Sequence, residues 1–227
     1  MTGVQTCALP ILEMRSPGIE LRHIKNAVGG SEFFEMFLDE VRIPVGDLIG
    51  EENNGWTVSQ STLGSERAVS LIALAELLRT NGRDFFIESA GSWRMPDGSP
   101  VLEDSHFREV IGGLYGEVEI LRLLLTRLVT NLLEQGGAGP EASVVKIFYT
   151  ELLQRMMKIA AECQGLPAQL WQPELASSGW ETHDFARDFI HSYSWTIAGG
   201  TNEIMRNVVG EQVLGLAREP RPQGLAK

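Results

Sequence analysis

The spacing of apolar residues changes period part-way along the chain. Between Leu12 and Gly50 apolar and polar residues alternate, as in Ile19-Glu20-Leu21-Arg22-His23-Ile24, and the turn signals Pro17-Gly18 and Gly29-Gly30 break up the runs. A period of two marks a strand. In Phe34-Glu35-Met36-Phe37-Leu38, the residues Phe34, Met36 and Leu38 share one face, and Val41 to Ile43 reads as a continuation that Pro44 ends. Two or three strands cannot bury both faces alone, so this stretch reads as the remnant of a larger sheet.

From Trp56 onward the period is helical. Leu63, Val69, Leu71, Ile72, Leu74, Ala75, Leu77 and Leu78 predict a helix running to about Arg79, with Asn81-Gly82 marking its end. Arg83 to Pro100, with Gly91, Pro96, Gly98 and Pro100, is expected to be a loop. A long helix follows from about Asp104 to Gln135, striped by Leu114, Val118, Leu121, Leu125, Leu128 and Leu132 and capped by Asp104 or Ser105. Another runs from about Pro140 to Cys163, with Val144, Ile147, Phe148, Leu152, Met156, Ile159 and Ala160 as its apolar set. Leu166 to Glu181 reads as a loop. Thr182 to Tyr193 reads as a shorter helix with Phe185, Phe189 and Ile190 inward, and a last helix covers Thr201 to about Leu214. The expected fold is mainly α, a C-terminal antiparallel helical bundle over residues 54–218 preceded by a β-domain remnant over 12–53, with a frayed tail from 219.

Composition narrows the function. A net charge of −11 and a pI near 4.9 argue against nucleic acid and anionic membrane surfaces as partners. No apolar run approaches the roughly 20 residues of a membrane span. Cys7 and Cys163 make neither a disulfide framework nor a metal-ligand spacing, and His23, His106, His183 and His191 show no paired ligand spacing. A soluble, cytoplasmic protein of a reducing compartment is expected. Thr2 to Ile11 resembles the translation of a sequencing-library adapter and has no charged n-region before an apolar core, so it is set apart from the fold. On that reading the gene continues upstream and the chain is a C-terminal fragment.

Two stretches could carry chemistry. Ala198-Gly199-Gly200 is a small-residue corner before Thr201, a good N-cap, with Glu203 in the following turn. Its accessible N–H groups suit an anionic ligand, or they belong to an ordinary tight turn into a helix. Glu66 has Thr62, Leu63, Val69 and Ser70 as helical neighbours, none of them cationic. Desolvation on such a face would raise its pKa toward that of a general base. The alternative is a solvated glutamate beside Arg67 on an outer face.

Thr196-Ile197-x-Gly199-Gly200-Thr201-x-Glu203-Ile204-x-Arg206-Asn207, continued by Glu211 and Leu214-Gly215-Leu216, closely resembles the C-terminal signature of the acyl-CoA dehydrogenase family. The runs Gly29 to Pro44 and Leu48 to Trp56 resemble the end of that family's middle β-domain. The resemblance spans about Pro17 to Arg218. It implies removal of the α-proton of an acyl-CoA thioester by a glutamate and transfer of the β-hydride to FAD. Most members place the base just before the Gly-Thr of the signature, where this chain has Gly199. A smaller branch, of isovaleryl- and long-chain-type enzymes, places it before an arginine on the first long helix of the C-terminal domain, which Glu66-Arg67 matches. Glu66 is therefore the implied catalytic base. Thr201, Asn202 and Glu203 occupy positions that contact FAD, while Gly200 and Arg67 border the acyl-CoA.

Some family segments are degenerate. Arg83-Asp84-Phe85-Phe86 only echoes the usual R-x-x-F-G, and Glu162-Cys163-Gln164-Gly165-Leu166 has one glycine where Q-x-x-G-G is usual. Such losses resemble a branch linked to bulky acyl-CoA substrates, sometimes with paired unlike subunits. The implied partners are an acyl-CoA substrate, a homo- or hetero-oligomer (dimer or tetramer) and an electron-transfer flavoprotein as acceptor. The alternative is a catalytically silent helical subunit that completes a partner's flavin site. A flavin oxidase or a thioester-modifying relative would show the same base and corner.

Overall fold

The computed structural model describes residues 9–65, 71–78, 83–135, 139–170 and 184–218. The chain divides into two compact units between Glu66 and Arg67.

The first unit holds two small antiparallel sheets. Strand β1 (Leu9–Pro10) pairs with β4 (Leu48–Ile49), so residues set apart from the fold on sequence grounds are here placed against Leu48 and Ile49. Strands β2 (Ile19–Ile24) and β3 (Phe33–Leu38) form a hairpin in the register Ile19↔Leu38 to Ile24↔Phe33. Asn26 builds its turn, the side-chain oxygen accepting from the Val28 and Gly30 amides at 3.1 and 2.7 Å. No strand forms over Val41–Ile43, contrary to expectation. The hairpin ladder ends where the Asp39 amide donates to Gly18 O at 2.9 Å, and Glu40 then takes a left-handed φ of 48° that turns the chain away. All six residues of β3 are exposed, including Phe34, Met36 and Leu38. Helix α1 (Gly55–Ser65) closes this unit.

The second unit is the helical bundle, and the chain as a whole is mainly α. Helix α2 spans Leu71–Leu77. Residues 66–70 and 79–82, where the sequence predicts the middle and end of a single helix, lie outside the described residues. The sequence predicts a loop over Arg83 to Pro100, but its first part forms helix α3 (Arg83–Ser92). Phe86, Ala90 and Trp93 recur at helical spacing and are buried, and that apolar face outweighs the single Gly91 in the last turn. The breakers Pro96, Gly98 and Pro100 act only after the helix has ended.

Helix α4 (Ser105–Gln135) begins where predicted, with Asp104 Oδ1 accepting from the His106 and Phe107 amides at 2.9 and 3.1 Å. Its buried stripe is Ile111, Leu114, Val118, Leu121, Leu125 and Leu128. Each such buried side chain contributes about 2 kcal/mol relative to exposure. The stripe packs on α5 (Ala142–Gln164), which also contacts α6 (Phe185–Trp195) and α7 (Asn202–Val208). Being covered on several sides, α5 buries Val145, Tyr149, Leu153 and Met157 as well as the expected Leu152, Met156 and Ala160. Val144, Ile147 and Phe148 are only half-buried. Asp184 caps α6 by accepting from the Arg187 amide. Phe185 is buried and stacks edge-on with Trp93, which does the same with Phe86, while Ile190, expected inward, is exposed.

Candidate functional site

Helix α6 delivers the chain into the corner that the sequence singles out. Beyond Trp195 the backbone makes a closed loop, in which the Ile197 and Ala198 amides donate to Ser194 O and the Asn202 amide donates back to Thr196 O at 2.9 Å. Closing so short a loop requires φ values of 65° at Gly199 and 97° at Gly200, which residues with a Cβ rarely adopt. A Cβ on Gly199 would meet nothing within 4 Å, whereas one on Gly200 would lie 2.7 Å from Met205 Cε. The outer side of the corner is therefore open and its inner side is packed. Thr201 then caps α7, its hydroxyl accepting from the Ile204 amide at 3.3 Å. A π-helical turn over Val209–Val213 continues α7, and Gly215, at φ 67°, closes it with the Leu216 amide on Gly210 O at 2.9 Å.

The corner is tied to α5 by a lysine. Lys146 is 7% exposed, and its Nζ donates to Gly200 O at 2.8 Å, Asn202 Oδ1 at 2.7 Å and Thr196 O at 3.2 Å. An ammonium has three protons, and three acceptors meet them. Burial lowers its pKa; Glu203 pulls it back up, Arg206 lowers it and Glu151 raises it. Asn202 is 3% exposed, and its Nδ2 donates to Thr150 Oγ1 at 3.1 Å and to Glu151 Oε1 at 3.4 Å. The Thr150 hydroxyl donates to Lys146 O, and Arg206 pairs with Glu151. A buried polar network with its members satisfied fixes one geometry, because every alternative leaves a buried donor or acceptor unpaired.

Four of the sequence-predicted site residues meet here in different ways. Gly200 and Thr201 form the corner itself. The Asn202 side chain is turned into the bundle, so only its backbone is left to face outward. Glu203 points to solvent with a side chain 79% exposed, and its own backbone N–H, then the Thr201 hydroxyl, hold its carboxyl below the usual glutamate range. Among the described residues the Gly199, Gly200 and Thr201 amides meet no acceptor. Glu66 and Arg67 lie outside the described residues. His183 does too, and among the described residues no group of three His, Cys, Asp or Glu is placed to hold a metal. No described helix is long and apolar enough to cross a membrane.

The comparisons with known proteins bear on this corner. A family model for the C-terminal domain of acyl-CoA dehydrogenases matches residues 53–214, which include it. The chain belongs to the acyl-CoA dehydrogenase family. It is 30% identical over 209 residues to acyl-CoA dehydrogenase IpdE1 of Mycolicibacterium smegmatis, covering 92% of this chain and 49% of that protein. With a cyclohexane-1-carbonyl-CoA dehydrogenase of Geobacter metallireducens it shares 26% identity over 203 residues, covering 88% of this chain and 50% of the relative. Among solved structures, the ChsE4-ChsE5 complex from Mycobacterium tuberculosis aligns with a TM-score of 0.73 at 25% identity, over 93% of this chain and 54% of that one. The chain spans about half the length of these curated relatives.

Sequence reasoning missed Lys146 and Thr150. The signal was present, since Ser143-Val144-Val145-Lys146-Ile147-Phe148-Tyr149-Thr150 puts a lysine and, one turn on, a threonine into an apolar run. Their partners lie some 50 residues downstream, and only folding shows why a cation belongs there.

Proposed function

We propose that this chain supplies the C-terminal half of a FAD-dependent acyl-CoA dehydrogenase, with Glu66 as the base that takes the α-proton of the thioester. The observation that carries this reading is the open corner at Gly199–Thr201, whose unpaired amides lie within the family match. The residues present fit the cofactor, because no side chain fills the outer side of Gly199 and the backbone there offers donors to an electron-rich group. Bound FAD would accept the β-hydride. As the α-proton leaves, charge builds on the thioester oxygen, and donors at Gly200 would stabilise it in proportion to how firmly they are held. Thr201, the Asn202 backbone and Glu203 would border the flavin, and Arg67 would border the acyl-CoA. Two lines of support favour a bulky acyl group. The branch with its base on this helix is one, and the ring-bearing substrate named for the Geobacter relative is the other. An electron-transfer flavoprotein is the acceptor this reading implies, within a homo- or hetero-oligomer.

The test is Glu66→Gln in the protein completed by its upstream half. Glutamine keeps the shape of the side chain but cannot take a proton at neutral pH. The variant should retain flavin and lose its bleaching by acyl-CoA. Full bleaching would remove Glu66 from the mechanism.

A second reading has its own support, because the ChsE4-ChsE5 structure is a complex of two differently named chains. In it this chain completes the flavin site of an unlike partner. Purified alone, the completed protein would then be colourless, and it would gain flavin only with that partner.

A further inference from the structure

We propose that Lys146 is the positioning residue of the Gly199–Thr201 corner, holding its amides as an outward-facing donor set. The inference rests on the reading of that corner as the thioester and flavin site. In a trans peptide the C=O and the next N–H point in opposite directions, and the described chain has no cis bond. Lys146 Nζ holds Gly200 O at 2.8 Å on the inner side, so the Thr201 N–H of the same peptide faces outward. Thr196 O is held from the same nitrogen and also accepts the Asn202 amide, which fixes both ends of the loop. Asn202 Oδ1 takes the third proton, and its amide group is locked by Thr150 and Glu151, so the lysine cannot swing to another partner without stranding a buried acceptor. The cation also lies at the carbonyl end of the Gly200–Thr201 peptide, where it polarises that peptide in the sense that makes the outward N–H a stronger donor. Two glycines at positive φ would otherwise leave the corner the most deformable part of its surroundings. One buried side chain of α5 removes that freedom.

Amide hydrogen exchange of the full chain is the direct test, because it needs no flavin. Lys146→Met keeps the stem and deletes the three donors. Exchange at the bonded amides of Thr196, Ile197, Ala198 and Asn202 should rise about tenfold or more while α4 and the middle of α5 stay protected. Lys146→Arg, which keeps the charge and can still reach two carbonyls, should restore part of the protection. In the completed protein with flavin bound, Lys146→Met should lower kcat for bleaching more than it raises KM for acyl-CoA, a split that loss of packing alone does not give. Unchanged exchange in Lys146→Met, or equal loss in the methionine and arginine variants, would overturn the proposal. If Lys146→Met does not fold, nitrogen-15 spectra of the unaltered chain decide it. A slowly exchanging Lys146 ammonium with contacts to Gly200 is expected, and a rapidly exchanging one without them refutes the assignment. Failure of the completed protein to hold flavin at all would refute the functional reading of the corner and leave the exchange result standing.

Discussion

Tyr149 offers a substitution whose sign is not the usual one. The residue is 1% exposed on α5, and its hydroxyl has no hydrogen-bond partner among the described residues. Burial alone pushes its pKa upward, with no hydrogen bond or charge contributing. A hydroxyl taken from water without a partner costs about 1–3 kcal/mol by the measure of protein substitutions. Tyr149→Phe deletes that oxygen and leaves the ring, so the packing of α5 is unaltered apart from a void of one atom. A void that small returns part of the gain, which leaves a net stabilisation of about 1 kcal/mol. For a chain of this length such a gain raises the melting temperature by about 2–4 °C. Urea unfolding and thermal melts of the two chains measure it, with the slope of the urea transition expected to be unchanged. Tyr149→Ala, which removes the ring as well, should lose about 3–5 kcal/mol and shows that the site reports on packing. A loss of stability in Tyr149→Phe would mean that the hydroxyl is bonded in the folded chain, and the reasoning from burial would fail.

Three further outcomes follow from local structure. Asp104→Ala removes the acceptor for the His106 and Phe107 amides and should cost about 1 kcal/mol in the same unfolding assay. Gly116 lies inside α4 with open space around its Cβ direction, so Gly116→Ala should gain about 0.5–1 kcal/mol by helix propensity. Burial pushes the Cys163 thiol up to about 12, so at alkaline pH its peptide should resist iodoacetamide until the chain is unfolded. Between about 9 and about 12 the unfolded chain releases that proton and the folded chain does not, so Cys163 makes stability fall as pH rises through this window.

How far the fold can be read without coordinates depends on where the information lies along the chain. The α4 stripe and its Asp104 cap are local patterns, and both fall where the residues predict. Helix α3 was hidden because Gly91 and the prolines after it lie within one window of its apolar positions. The decisive contact, Trp93 edge-on against Phe185, joins residues far apart in sequence. Within the apolar set of α5, Val144, Ile147 and Phe148 are half-buried while Val145, Tyr149 and Leu153 are buried, for a related reason. A helix with one neighbour shows one stripe, whereas α5 has α4, α6 and α7 around it. At the corner, Gly199, Gly200 and the Thr201 cap are legible because glycine pairs and capping residues carry their geometry with them. Lys146 is not, since a buried lysine reads as a blemish in a hydrophobic run until Gly200 O and Asn202 Oδ1 are found beside it.

Under the proposed function this corner belongs to a working acyl-CoA dehydrogenase. An anaerobic titration of the completed protein with a ring-bearing acyl-CoA tests it most directly, followed through the visible absorption of its flavin. The expected result is a yellow protein whose flavin band bleaches as the thioester is added and returns when an external electron acceptor follows. A flavin that stays oxidised through a panel of acyl-CoA thioesters, or a completed protein that holds no flavin alone or with a partner chain, would contradict it.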